Sequence, residues 1–191
     1  MTVRALGYLD IGVSDVATWR RFSADILGAS VSDRGDDLLL RFDSRQWRIA
    51  IEPSGTDDIA YAGWKVAGSA ELAATIARIE ASGVKVKRDD GTLATKALDE
   101  TLVFYRNILG FGYSDYVDMP AGPGQTIPVQ FMHCNARHQT FAFASPPPVP
   151  DTPKLIHFMV QVASVDDVGF AFDRVEKAGV EVAMTLGRHG Q

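Results

Sequence analysis

The sequence predicts an α+β protein whose two domains are each built from a pair of β-α-β modules. Two observations predict this class. Strand-like and helix-like patterns alternate along the chain, and the second half of the chain repeats the patterns of the first half. With 191 residues, of which 46% are hydrophobic, the chain is long enough to bury the core of one large or two small domains.

The first module is predicted near the start of the chain. Leu6–Val13 alternates apolar with small or polar side chains, which is typical of a half-buried strand. A helix is predicted over Asp15–Leu27, because Ser14 and Asp15 are good capping residues, apolar side chains follow at helical spacing, and Gly28 ends the pattern. The segments DDLLLRFDS and QWRIAIEP predict two strands, and one further strand is expected in this module.

The second module follows the same order of elements. Ile59–Val66 has the pattern of a strand, a helix is predicted over Ala70–Ser82, and VKVKRDD predicts the next strand. The charged segment RDDGTLATKA predicts a turn rather than a strand. The second module therefore lacks the additional strands that the first one has.

Internal repetition is the most informative feature of the sequence. WRRFSADILGASVSD is echoed by LVFYRNILGFGYSD, which matches Phe22 with Phe104. YAGWKVAGSAELAATIARIEASGVKV is echoed by HFMVQVASVDDVGFAFDRVEKAGVEV, which matches Ile79 with Val175. The two echoes are far from identical, so they indicate an old duplication that produced four modules.

The same repeat predicts that strands are missing at two places. The third module has no full strand before its helix, and the fourth ends at LGRHGQ after its helix and one strand. Incomplete sheets leave unpaired edges and an uncovered core. We therefore expect that one segment is absent near Lys96 and Ala97 and another after Gln191, with incomplete domains at residues 1–96 and 97–191.

Composition excludes several classes of function. The net charge is −5, so the chain has no basic field for nucleic acid or anionic lipid. No apolar run has the length of a signal peptide core or a membrane-spanning helix. The single cysteine excludes an internal disulfide. These features predict a soluble cytoplasmic protein that binds neither nucleic acid nor membranes.

Two histidines are candidates for metal-centre chemistry. His157 lies in KLIHFMVQV, which predicts an apolar strand, and the repeat matches it with Tyr61 in the first half. A histidine that is present in only one of the two repeats is a candidate metal ligand, and the alternative is an ordinary core histidine. His189 follows a predicted strand and either points into the same cavity or lies in an exposed loop.

The segment FMHCNARHQTFAFA contains the two remaining histidines. His133 and His138 flank CNAR, which predicts a turn, so both residues are either site residues or ordinary hairpin histidines. Cys134 has no base fixed beside it in the sequence and is predicted to be a buried apolar residue.

Several motifs together resemble one enzyme family. The segments VRALGYLDIGVSDVATWRRF, FDSRQWRIAI, FYRNILGFGYSD, FMHCNARH, IHFMVQVASVDDVGFAFDRV and TLGRHGQ occur in an order that is similar to the type I extradiol dioxygenases. These enzymes belong to the vicinal-oxygen-chelate, or glyoxalase-like, superfamily. Within it, the chain most resembles the 2,3-dihydroxybiphenyl 1,2-dioxygenase group, and the likeness covers nearly all of the chain.

The resemblance implies a fold and a metal centre. The family has two domains of paired βαβββ modules, and only the C-terminal domain binds Fe(II), through two histidines and a glutamate, with Mn(II) as an alternative metal. His157 matches the second histidine ligand. The other two ligands would fall in the segments that we expect to be absent. Residues 1–96 would then be the domain without metal and residues 97–191 the catalytic domain, and these 191 residues alone would be inactive.

The resemblance also implies pocket and proton-transfer residues. His189 matches a histidine that hydrogen-bonds near the bound substrate, and Gln191 falls where the family has a polar pocket residue. Phe131 and Met119 match residues that line the apolar pocket around the distal ring. Gln139 stands where the family has an acid/base histidine, and an amide cannot exchange a proton near neutral pH. His189 is then the expected substitute.

The predicted function is ring cleavage of a bicyclic or substituted catechol by O₂ in the degradation of aromatic compounds. A homo-oligomer is expected, with the catechol and O₂ as the small-molecule partners. One alternative is a protein of the same superfamily that binds an aromatic ligand without turnover, which the glutamine at position 139 favours. Another is a glyoxalase-type isomerase or thiol transferase, which the long duplication disfavours.

Overall fold

A computed structural model describes residues 3–84, 86–89, 92–95, 101–144 and 155–183. The helices of this part are α1 (Val16–Arg21), α2 (Ser69–Ala81), α3 (Thr101–Val103) and α4 (Val165–Lys177), and α1 and α3 continue as π-helical turns over Phe22–Ile26 and Phe104–Ile108. Its strands are β1 (Val3–Val13), β2 (Ser30–Arg34), β3 (Asp37–Arg41), β4 (Ile49–Pro53), β5 (Asp58–Val66), β6 (Val86–Asp89), β7 (Thr92–Thr95), β8 (Gly112–Gly122), β9 (Gln125–His133) and β10 (Phe141–Ala144). None of the helices in these ranges is long and apolar enough to cross a membrane.

The chain divides into two compact units. Unit 1 contains Met1–Leu6 and Trp64–Val149, and unit 2 contains Gly7–Gly63 and Pro150–Gln191. This division follows spatial contacts, whereas the predicted division between residues 96 and 97 follows the sequence repeat. Residues 96–100 lie outside the described ranges, so that boundary and the missing segment expected beside it stay predictions.

The sheet of unit 2 confirms the strands predicted for the first module. Its strand order is β2-β3-β4-β1-β5, and β2 is the further strand that the module was expected to contain. Strands β1 and β4 run parallel to each other, and β3 runs antiparallel to β4. Alternate residues of these strands form one buried apolar face, which consists of Leu9, Ile11, Val13, Leu38, Leu40, Ile49 and Ile51. The alternation of apolar and polar residues that predicted the strands therefore corresponds to one side of the sheet facing the core.

The π-helical turns confirm the repeat in a detail that the sequence pattern did not predict. The helix predicted over residues 15–27 is α-helical only as far as Arg21. The Leu27 amide then donates to the Phe22 carbonyl at 3.0 Å, and the Leu109 amide donates to the Phe104 carbonyl at 3.1 Å. Both bonds span five residues, which defines a π turn. The matched segments therefore share an irregular geometry as well as similar residues.

Each π turn accepts a hydrogen bond from an arginine on another module. In unit 1, Arg78 Nε on α2 donates to the Ile108 carbonyl at 2.9 Å. In unit 2, Arg174 Nε on α4 donates to the Ile26 carbonyl at 2.9 Å. Arg78 and Arg174 occupy matched positions of the repeat, and each satisfies a carbonyl near the end of a helical segment. The helices predicted for the second and fourth modules therefore make the same contact.

Unit 1 is built around an aromatic and aliphatic core. Its three-stranded antiparallel sheet has the order β10-β9-β8. One side of that sheet contributes to a core with α2 and α3, whose buried members are Val3, Ile79, Phe104, Leu109, Phe111, Met132 and Cys134. Trp64 packs edge-on against Phe111 with ring centroids 5.0 Å apart, which adds to the burial of both rings.

Three predictions about strands are wrong. Residues 92–95, predicted as part of a turn, form β7, which pairs with β6. The residues around His157 were predicted as a strand, but residues 155–162 have no regular secondary structure, and neither do residues 180–183 after α4. An apolar pattern indicates only which side chains avoid water, and a strand forms only where a neighbouring strand accepts its hydrogen bonds. No described strand pairs with either segment.

Candidate functional site

One face of the three-stranded sheet in unit 1 brings two predicted pocket residues together. Phe131 pairs with Asp115, and Met119 pairs with Ile127 four residues further along each strand. Directly paired residues point to the same side of a sheet, and so do residues four apart on one strand. Phe131 and Met119 therefore lie on one face, which we call the site face. Its members are Asp115, Val117, Met119, Ile127, Val129, Phe131, Ala142 and Ala144.

The site face is mostly apolar, partly exposed and lined in part by small residues. Met119 is 51% exposed, and Val117 is also exposed. On the neighbouring strand, Ala142 pairs with Phe131 and Ala144 pairs with Val129, so methyl groups stand where larger side chains would fill the space. The opposite side of the same sheet is occupied by core residues such as Met132. The site face thus presents exposed apolar surface beside two small side chains.

A polar group lies at one end of the site face. Strand β8 contains a bulge between Tyr113 and Asp115, and the extra residue is Ser114. Ser114 Oγ lies 2.6 Å from His133 Nδ1 and also donates to the main-chain carbonyl of His138. A carbonyl only accepts, so the single hydroxyl proton points to His138 and His133 Nδ1 must donate to Ser114. Neutral His133 therefore carries its proton on Nδ1.

Gly112 leaves the space that the His133 ring occupies. A β-carbon at position 112 would lie 2.4 Å from His133 Nε2, well inside van der Waals contact. Gly112 and His133 are also a paired position of β8 and β9. Any larger residue at position 112 would therefore have to displace the imidazole from Ser114.

His138 extends over the same end of the site face. Its ring centroid is 6.4 Å from that of Phe131, and its Nε2 is 4.0 Å from Asp115 Oδ2. That separation permits an ion pair when the imidazole is protonated. The structure therefore places an aromatic residue, an imidazole and a carboxylate beside one another, on a face that is otherwise apolar.

The loop between β9 and β10 is held by local hydrogen bonds. The Arg137 amide donates to Asn135 Oδ1 at 3.0 Å, and Asn135 Nδ2 donates to the Arg4 carbonyl at 3.2 Å. The Thr140 amide donates to the Met132 carbonyl at 2.8 Å. Gln139 is half-buried between the anchored residues 138 and 140. The turn predicted for this segment is confirmed.

Cys134 is the buried apolar residue that the sequence predicted. It is 2% exposed, and burial raises the pKa of its thiol. The thiol lies 3.6 Å from Thr140 Oγ1. A buried thiol with a raised pKa is a poor nucleophile, so Cys134 contributes packing to unit 1.

The predicted metal ligand lies in unit 2. His157 is exposed within the irregular segment 155–162. His189 and Gln191 lie outside the described ranges. Among the residues that are described, no group of three or more His, Cys, Asp or Glu side chains could hold a metal ion. The described residues on their own therefore do not fit the iron centre that the resemblance implies.

Ser114, Asp115 and Gly112 were not among the predicted site residues. A bulge depends on how two strands pair, so the sequence of β8 alone did not indicate that Ser114 leaves the regular alternation. A further depression of about 290 Å³ in unit 2 is lined by Ser30, Val31, Ser32, Arg41 and Gln46. None of the predicted site residues that lie within the described ranges lines it.

Comparison with known families defines the class of the protein. Residues 88–191 match the Glyoxalase/Bleomycin resistance protein/Dioxygenase superfamily, and residues 6–54 match the family described as Dihydroxybiphenyl dioxygenase BphC D1. The chain therefore belongs to this superfamily, and its mixed α+β fold is the one expected from the resemblance.

Individual relatives define the family more narrowly. The chain is 38% identical to the biphenyl-2,3-diol 1,2-dioxygenase of Metapseudomonas furukawaii over 248 aligned positions, which cover 99% of this chain and 80% of the relative. It has the same identity to the enzyme of that name from Paraburkholderia xenovorans, with 99% and 81% covered. The chain is a member of the extradiol dioxygenase family of enzymes.

Solved structures agree with this assignment. The 2,2′,3-trihydroxybiphenyl 1,2-dioxygenase of Sphingomonas wittichii matches with a TM-score of 0.81 and 27% identity, over 98% of this chain and 83% of that one. A catechol 2,3-dioxygenase matches with the same TM-score and 26% identity, over 99% and 86%. The alignments to the two biphenyl-2,3-diol enzymes are longer than the 191 residues of this chain, so these relatives contain residues that have no counterpart in it.

Proposed function

We propose that the protein cleaves the ring of a bicyclic or substituted catechol with O₂ and Fe(II), in the degradation of aromatic compounds. The observation that carries the proposal is the open apolar site face, which ends at two histidines. Relatives named biphenyl-2,3-diol 1,2-dioxygenase and 3-methylcatechol 2,3-dioxygenase act on such molecules, and one relative is named as an iron-dependent extradiol dioxygenase. Mn(II) is the alternative metal.

The residues of the site face would bind the distal part of the substrate. Phe131 and Met119 are the proposed contacts of the second ring, and Ala142 leaves room beside them. Burial of apolar surface contributes about 25 cal/mol for each Å² removed from water, so a second ring would add appreciably to affinity. This predicts a preference for biaryl catechols over catechol itself.

The polar residues have separate proposed roles. His157 is the proposed iron ligand on this chain, and His189, Gln191 and Gln139 are proposed to contact the catechol oxygens. In the overall reaction both atoms of O₂ enter the ring-opened product, and the catechol supplies all the electrons, so no further reductant is consumed. The ring bond that breaks lies beside the two hydroxyl-bearing carbons, not between them.

The test uses the full-length protein with Fe(II) and 2,3-dihydroxybiphenyl under oxygen. Appearance of the yellow ring-opened product, with one O₂ consumed for each catechol, is the expected result. Val117→Ala should weaken binding of 2,3-dihydroxybiphenyl more than binding of catechol, because Val117 lies on the site face. Val165→Ala is the matched control, since Val165 is 83% exposed at the start of α4. Equal effects of both variants would contradict the assignment of the site face.

A second candidate function is binding of an aromatic catechol without turnover. Two observations favour it: Gln139 lacks a titratable group, and the described residues contain no three-ligand cluster. In that case 2,3-dihydroxybiphenyl would bind to the purified chain, and Val117→Ala would still weaken binding. No yellow product would form, whether or not Fe(II) is added.

A further inference from the structure

We propose that unit 2 binds a small organic ammonium ion at the carboxylate of Asp10. This site lies on the five-stranded sheet, on the side opposite its buried apolar face, whereas the site face belongs to unit 1. The inference does not depend on the proposed function. Three features carry it: a buried carboxylate oxygen without a donor, an excess of negative charge around it, and three aromatic rings beside it.

The strand register gathers charged groups on one side of this sheet. The buried apolar residues of β1, β3 and β4 alternate with a second set of residues, which point to the opposite side. We call this opposite side the polar face, and its titratable members include Tyr8, Asp10, Arg34, Asp37 and Glu52. The charges of Asp10 and Asp37 both act on Glu52, so the three carboxylates lie near one another.

Asp10 has an acceptor oxygen that lacks a donor. Only 2% of the residue is exposed, and Oδ1 has no hydrogen-bond partner within the described residues. The Tyr61 hydroxyl on the neighbouring strand β5 donates to the carboxylate, and burial together with this bond raises the pKa of Tyr61, so the phenol keeps its proton. An unsatisfied buried acceptor is costly. A ligand that brings an N–H group to Oδ1 would therefore stabilise Asp10.

The polar face carries more negative than positive charge. Arg34 forms its ion pair with Asp37 at 3.0 Å, and its charge is the smallest of the four influences on the pKa of Asp10. Burial, followed by the charges of neighbouring carboxylates, raises the pKa of Glu52. Asp10 and Glu52 therefore have no ion-pair partner among the described residues, and a bound cation would stabilise both charges.

Three aromatic rings lie beside these carboxylates. The Tyr8 ring centroid is 4.8 Å from that of Trp47 and 6.0 Å from that of Tyr61. The Arg34 guanidinium lies over the Trp47 ring at 5.4 Å, so one cation already contacts this group of rings. Tyr61 is 49% exposed, and rotation of its side chain would admit a ligand to Asp10.

The three features together select an alkylammonium ion as the ligand. Its N–H groups would donate to Asp10 Oδ1, and its charge would be compensated by Asp10 and Glu52. Its alkyl part would pack on the rings of Tyr8 and Tyr61, where cation–π attraction adds to the binding. A metal ion does not fit the described residues, because no group of three or more His, Cys, Asp or Glu side chains among them could hold one.

Calorimetry with three probes tests the proposal on the full-length protein, without catechol and above the pH range in which carboxyl groups titrate. The n-propylammonium ion has a charge and N–H donors, tetramethylammonium has only the charge, and propan-1-ol has only a donor. We expect n-propylammonium to bind more tightly than either control by about tenfold or more. Equal binding of tetramethylammonium would overturn the role of Oδ1. If n-propylammonium does not bind, the whole inference is wrong, and the proposed function is unaffected.

One variant and its matched control locate the site. Asp10→Asn removes the charge with little change in shape and should weaken n-propylammonium binding by about tenfold or more. Asp36→Asn removes an exposed carboxylate from the same unit and should leave this binding unchanged. Wild-type affinity in Asp10→Asn, or an equal loss of affinity in both variants, would show that the cation binds elsewhere and would overturn the inference.

Proton release provides a readout that non-specific binding of a cation to the surface would not give. A bound cation favours the charged form of Asp10 and Glu52, whose pKa values are raised in the free protein. Near those raised values, binding should therefore release protons, and the heat of binding should change with the ionisation enthalpy of the buffer. The affinity should rise with pH over the same range. A heat that is the same in every buffer would contradict a site at these carboxylates.

Discussion

Asp10 offers a sharp test of the electrostatics of unit 2, through the variant Asp10→Asn. Asp10 is 2% exposed, and its Oδ1 atom is buried without a hydrogen-bond partner within the described residues. Its carboxylate also accepts a hydrogen bond from the Tyr61 hydroxyl. An asparagine has nearly the same shape, and its amide oxygen can accept the Tyr61 hydrogen bond. The variant therefore removes a buried charge with little change in packing.

The direction of the pH effect follows from the causes of the pKa shift. Burial raises the pKa of Asp10, the Tyr61 hydrogen bond lowers it, Asp37 raises it and Arg34 lowers it, with a net rise. The folded protein then holds this proton more tightly than the unfolded chain does. The stability that Asp10 contributes is fully present below the ordinary Asp pKa of about 3.9, and it is lost as the pH rises through the raised folded value.

The size of the effect follows from the cost of an unsatisfied buried group. Asp10→Asn should unfold with nearly the wild-type free energy near about pH 4 and should be more stable by about 1–3 kcal/mol near about pH 8. Burial and the charge of Asp10 both raise the pKa of Glu52. The variant removes the repulsion between these two carboxylates, which adds to the difference in stability. The free energy of unfolding would be measured by urea denaturation with tryptophan fluorescence.

A matched control makes the Asp10 experiment decisive. Asp36→Asn removes an exposed carboxylate from the same unit and should change stability little at any pH. If Asp10→Asn destabilises the protein by the same amount at low and high pH, the carboxylate is better satisfied than its environment indicates. The reasoning about its buried charge would then be wrong.

Three further predictions concern the metal, the polar end of the site face and the core of unit 1. His157→Ala should abolish iron retention, measured by elemental analysis of the protein isolated with iron, and an unchanged iron content would mean that His157 is not a ligand. Gly112→Ala should displace the His133 ring, because the new β-carbon would lie 2.4 Å from Nε2, and the loss of the bond to Ser114 should appear as a changed ¹⁵N shift of His133 Nδ1. A wild-type His133 spectrum in that variant would contradict the packing described for β8 and β9. Ile79→Ala should lower the free energy of unfolding by about 2–5 kcal/mol, since Ile79 is 2% exposed in the core of unit 1, and a loss below about 1 kcal/mol would show that the site is poorly packed.

The sequence by itself determined the elements whose signals are local. The helices near residues 15–27 and 70–82 were predicted from caps and apolar spacing, and the strands of the first module were predicted from their alternation. The repeat was also visible in the sequence, because duplicated modules keep the same order of buried positions. Membership of the extradiol dioxygenase family followed from motifs that are contiguous in the chain, such as FMHCNARH, and the comparisons confirmed it.

The tertiary structure decided every feature that depends on a partner distant in the chain. Residues 155–162 have the apolar composition of a strand but form none, since pairing requires a neighbour. The bulge at Ser114 exists because β8 and β9 pair with one residue in excess, and only that pairing brings His133 and the His138 carbonyl to one hydroxyl. Asp115 likewise became part of the candidate site through its register with Phe131. A local pattern cannot encode such contacts, because they depend on the relative placement of two strands and a loop in space.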